Sequence, residues 1–107
     1  MQVFKFGGAS INSAKGVQNV AQIIAQHLDK PLVVVVSAMG KMTNAFEDLL
    51  AANRENRDTM PIYNHIRDYH LQIANELFPD KSHRIYSELE AVFFTIMNTY
   101  KLSDEGY

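Results

Sequence analysis

The chain has 107 residues, room for one domain, with the 47% hydrophobic and 21% charged content of an ordinary soluble globular protein. A formal net charge of -2 provides no basic stripe to track nucleic-acid phosphates, and the longest apolar run, about five residues, falls far short of the roughly 20 of a bilayer span. Cysteine is absent, which excludes disulfides and thiolate metal sites; Met1 leads almost directly into an apolar strand, leaving no room for a targeting peptide, so the expected compartment is the cytoplasm.

The first element is a short apolar strand that contains a lysine and runs into a glycine pair: Val3-Phe4-Lys5-Phe6-Gly7-Gly8-Ala9-Ser10. The strand fixes Lys5 as a cation, Gly7 and Gly8 let backbone amides approach an anion without a Cβ in the way, and a following helix would turn its free N–H groups to the same point. This is the grammar of a phosphate cradle. The lysine precedes the glycines, so it is not a Walker A loop, and the Gly-x-Gly-x-x-Gly of dinucleotide folds is missing. A purely structural strand-to-helix turn is the competing reading.

A helix is expected next, capped by Asn12 or Ser13, with Val17, Val20, Ala21, Ile24 and Leu28 on its buried face and Asp29-Lys30-Pro31 ending it. Leu32-Val33-Val34-Val35-Val36 follows without polar alternation, the pattern of a strand covered on both faces in a parallel sheet. It opens into Ser37-Ala38-Met39-Gly40-Lys41-Met42-Thr43-Asn44 and a second helix, with Thr43 as expected cap and Phe46, Leu49 and Leu50 buried. Together these make one right-handed βαβα unit over residues 1–58. Both turns lie at carboxyl ends of parallel strands, so they should face one crevice. Residues 53–58 read equally as a solvated helix end or a loop.

From Thr59 onward two helical stripes are expected, Ile62, Ile66, Tyr69, Ile73 and Leu77, then Ile85, Leu89, Val92, Ile96 and Tyr100, with Ser82 capping the second. Joined at Phe78-Pro79-Asp80, they form an antiparallel helical hairpin over residues 59–107. Tyr69, Phe78, Phe93, Phe94 and Tyr100 read as core or interface, Asp68, Glu76, Glu88 and Glu90 as solvated carboxylates, and Lys41 as a solvated cation. His27, His65, His70 and His83 have no metal-ligand spacing, and no metal site is assigned. Two strands against four helices cannot cover a sheet's edges, so the chain reads as the opening portion of a larger α/β domain or as a piece that pairs with another chain. Homo-oligomerisation, strand or helix exchange, or low solubility is the expectation.

The two turns taken together resemble a known family. Lys5-Phe6-Gly7-Gly8-Ala9-Ser10 is similar to the Lys-Phe-Gly-Gly-Thr-Ser motif of aspartate kinases. Ser37-Ala38-Met39-Gly40-Lys41-Met42-Thr43-Asn44 is similar to their Ser-Ala-Met-Gly-Lys-Thr-Thr-Asn motif. The likeness covers essentially the whole chain, as an N-terminal part. Ala9 stands where the family has threonine, and the Gly-Glu substrate motif, the nucleotide-binding half and the ACT domains are absent from these residues. The resemblance implies an α/β class: a partial three-layer αβα amino-acid kinase (carbamate kinase-like) fold, with parallel strands plus the long hairpin. It implies transfer of the ATP γ-phosphoryl to the side-chain carboxylate of L-aspartate, with Mg²⁺ carried by the nucleotide. Lys5 would be the electrostatic catalyst, Gly7, Gly8 and Ser10 would join it on the ATP phosphates, and Ser37, Gly40 and Thr43 would form the substrate side. The isolated segment is expected to be inactive. A glutamate, carbamate or nucleotide-monophosphate kinase, or a non-catalytic helical interaction module, are the alternatives.

Overall fold

The computed structural model describes the backbone of residues 1–106 and the side chains of residues 1–100. Packing divides it into two compact units, Met1–Thr43 and Asn44–Tyr107. The division falls earlier than residue 58, and the second helix of the βαβα run is tied to the hairpin by Asn53 Nδ2 donating to the Tyr100 carbonyl at 2.9 Å.

In the first unit, strands β1 (Gln2–Phe6) and β2 (Leu32–Val36) pair in parallel with Lys5 opposite Val35 and Phe6 opposite Val36. Side chains alternate across a strand, so Phe4 and Phe6 share one face and Val3 and Lys5 the other. The rings of Phe4 and Phe6 lie 6.3 Å apart, and Phe4 meets the His27 ring edge-on at 4.8 Å. His27 sits in the turn after helix α1 (Ala14–Ala25), where its Nδ1 bonds the Ile23 carbonyl at 2.8 Å. Lys5 therefore leaves the sheet on the face away from this contact.

Two expectations for this unit change. Strand β2 is not covered on both faces: Val35 is 45% and Val36 57% exposed, because a single neighbouring strand hides only one edge. Of the helix stripe, Val20 alone is buried, and Leu28 lies exposed beyond the end of α1. The cap expected at Asn12 or Ser13 falls on Ser13. Residues Gly8–Ile11 form a 3-10 turn, and Ser13 then caps α1 by accepting from the Gly16 amide at 3.1 Å.

The second unit comprises most of α2 (Met42–Arg54), α3 (Met60–Leu77) and α4 (Ile85–Gly106). The run 53–58 is the end of α2 followed by a turn in which Asn56 takes a left-handed φ of 58°, a conformation Asn tolerates. Bonds from Thr59 to Tyr100, Tyr63 to the Phe93 carbonyl (3.1 Å) and Tyr86 to the Ala74 carbonyl (3.3 Å) run α3 and α4 antiparallel, as expected. Leu49 and Ile66 are the largest fully buried side chains. The buried stripe of α3 includes Tyr63 and Ala74, and that of α4 turns on Phe93 and Tyr100, leaving Val92 53% and Phe94 69% exposed. Ser82 is not the cap of α4. Its amide and hydroxyl both donate to Asp80, and the helix starts at Ile85. Those two Ser82 bonds, with His83 nearby, hold the Asp80 carboxyl below its ordinary value.

Candidate functional site

The two turns that the sequence singles out lie together in the first unit. β1 delivers the chain to Gly7 and β2 delivers it to Ser37, one residue past paired strand ends. The ladder is prolonged by the Ser37 amide donating to the Phe6 carbonyl at 3.0 Å, and then by the Gly40 amide donating to the Gly8 carbonyl at 3.1 Å. The two turns are thus tied to each other by backbone, at the carboxyl ends of the parallel strands.

The glycines have separate reasons. Gly40 has a φ of 53°, a left-handed conformation that a side chain would strain. Gly8 has no room: a Cβ there would stand 2.5 Å from the Gly40 carbonyl oxygen and 2.9 Å from that of Ala38. Gly7 lies in extended backbone, and a Cβ on it would meet nothing within 4 Å. Its surroundings are open, as a ligand's approach demands. Gly16, which sequence reasoning passed over, is a fourth case. A Cβ there would meet the Ser10 carbonyl oxygen at 2.5 Å, so α1 abuts the 3-10 turn through it. A glycine inside an otherwise helical run was the available signal, since it costs the helix about 1 kcal/mol without such a reason.

The polar candidates are distributed unevenly. Lys5 is exposed and makes no ion pair among the described residues. The Ser10 amide is taken by the Gly7 carbonyl at 3.0 Å, so of that residue's two expected donors only the hydroxyl is left to meet a ligand. Ser37 and Thr43 are exposed on the second turn. Thr43 is the second residue of α2, not its cap: Met42 is buried, its amide bonds the Met39 carbonyl at 3.0 Å, and it is the first residue of the helix where a Thr43 cap would have made that Asn44. No three His, Cys, Asp or Glu side chains gather as a metal site among the described residues. The second unit holds an apolar groove of about 320 Å³ between Phe46, Leu49 and Leu50 of α2 and Thr95, Ile96 and Thr99 of α4. Tyr100 also lines it, no carboxylate, lysine, arginine or histidine does, and hydroxyls of Thr95 and Thr99 are bound to carbonyls of their own helix.

A family model described as "Amino acid kinase family" matches residues 1–99. The chain belongs to the amino acid kinase family. Its curated relatives include aspartokinases 2 and 3, chloroplastic, of Arabidopsis thaliana, 38% and 39% identical over 79 residues, which is 70% of this chain and 14% of each relative. The aspartokinase of Chlamydia trachomatis is 33% identical over 87 residues, 81% of this chain and 19% of that enzyme. The chain therefore spans less than a fifth of the length of these relatives. The α/β architecture, a short parallel two-stranded sheet with helices, fits a part of that family's fold. No described helix is long and apolar enough to cross a membrane.

Proposed function

We propose that this chain carries the phosphate turn and the acceptor turn of an aspartate kinase, the enzyme that moves the γ-phosphoryl of MgATP to the side-chain carboxylate of L-aspartate. The observation that supports this most directly is the closure of the two turns on each other through the Gly40 amide and the Gly8 carbonyl. Phosphoryl transfer asks little covalent work of a protein; it needs charge neutralisation and alignment of the acceptor. On this reading Lys5 neutralises the transferring phosphate oxygens, the open flank of Gly7 admits the phosphate chain, and the Ser10 hydroxyl adds a donor. Ser37 and Thr43 hold L-aspartate across the crevice, and Gly40 gives their turn its shape. Mg²⁺ travels with the nucleotide. The names of the relatives favour aspartate over glutamate or carbamate as acceptor.

Amide NMR titration of the 107-residue chain tests the assignment. MgATP is expected to shift Lys5–Ser10, and L-aspartate to shift Ser37–Thr43, with no aspartate-dependent ADP release from the chain alone. An equal response to L-glutamate would move the reading to another branch of the family, and no response at either turn would end it. The open faces of β2 and the exposed Phe94 further support self-association of the chain, by strand or helix exchange. Sedimentation over a hundredfold concentration range is expected to show a rising mass. A monomer throughout would refute self-association and leave the site reading untouched.

A further inference from the structure

Gly7 and Gly8 form one motif in the sequence, yet their surroundings divide them. Only Gly7 borders open space. Gly8 is pressed on the backbone of the second turn, and its obstacles are the carbonyl oxygens of Gly40 and Ala38. Backbone oxygens cannot swing aside as the end of a flexible side chain does. The second turn is also held at its start by the Ser37 amide on Phe6, it is closed on itself by the Met42 amide on Met39, and its middle is fixed by the left-handed Gly40. A methyl group at position 8 would make that turn retreat bodily by roughly 1 Å to restore ordinary contact, a displacement that alignment-dependent chemistry feels as about a hundredfold loss.

We propose that Gly8 is a positioning residue: its missing side chain lets the first turn rest directly on the second, and this contact sets the spacing between a phosphate chain on one and a carboxylate acceptor on the other. The role rests on the aspartate-kinase reading of the two turns. It assigns the phosphate approach to Gly7 and the inter-turn distance to Gly8, and it predicts that changing Gly8 damages the acceptor side first.

The test uses the isotopically labelled 107-residue chain with two probes, tripolyphosphate and L-aspartate. In the unaltered chain a through-hydrogen-bond coupling is expected between the Gly40 nitrogen and the Gly8 carbonyl carbon. In Gly8→Ala the amides of residues 38–41 should shift and L-aspartate should bind at least fivefold more weakly, with tripolyphosphate affinity held within twofold. Gly16→Ala is the matched control, because its methyl would meet a carbonyl oxygen at the same 2.5 Å but on Ser10, within the first turn. It should leave L-aspartate binding within twofold. Absence of the coupling overturns the proposal even if Gly8→Ala fails to fold, and so does an equal loss of L-aspartate in both variants. If the unaltered chain binds neither probe, the aspartate-kinase reading falls and takes this role with it. Binding of both probes with Gly8→Ala no different from Gly16→Ala removes the role alone.

Discussion

Ile66→Ala is expected to remove most of the stability of the helical unit. Ile66 is 1% exposed and sits on the face of α3 that also buries Tyr63 and Ile73. Truncating a fully buried isoleucine costs about 2–5 kcal/mol, the lost transfer free energy plus the cavity that remains. At about 0.05–0.15 kcal/mol per residue, a unit of this size holds roughly 3–10 kcal/mol in total. Thermal unfolding followed by circular dichroism should fall by about 10 °C or more. Val92→Ala, on the same hairpin but 53% exposed, should change stability by about 0.5 kcal/mol or less. Equal effects from the two variants would mean that the core has been placed on the wrong face of the hairpin.

Lys5→Met should weaken tripolyphosphate binding about 10- to 100-fold. This follows from the proposed role of Lys5, since a charge-assisted hydrogen bond contributes about 1.5–3 kcal/mol and each 1.4 kcal/mol is tenfold in affinity. The fold should survive, because Lys5 leaves the sheet on the face away from Phe4 and His27 and forms no ion pair among the described residues. Lys41→Met removes the same unit of charge from the second turn and controls for long-range attraction, which salt screens over about 10 Å. It should cost less than twofold. Isothermal titration on both variants decides the matter: a Lys5→Met loss no greater than that of Lys41→Met would show that the lysine adds charge to the neighbourhood without touching the phosphates.

The strand that carries Lys5, the valine strand, the two turns at their carboxyl ends and the helical hairpin were all legible in residue order, because each is written in local periodicity or in glycine placement. The family was legible in the two turn motifs for the same reason. The misses share a cause. Thr43 has the chemistry of a cap, but α2 starts at the buried Met42 and not at Asn44. Val92 fits an apolar stripe as well as Phe93 does, and the larger ring took the space against Tyr63, their centroids 6.2 Å apart. Valines 33–36 read as a strand enclosed by neighbours, and among the described residues only β1 stands beside them.

Composition and spacing determined by themselves which stretches form strand, turn and helix, since those are properties of short lengths of backbone and of side-chain type. The difference between Gly7 and Gly8 belonged to the tertiary structure. Both lack a Cβ, and only the arrival of Ala38 and Gly40 against one of them, from thirty residues further along the chain, makes that lack a requirement of packing at Gly8 and an open approach at Gly7.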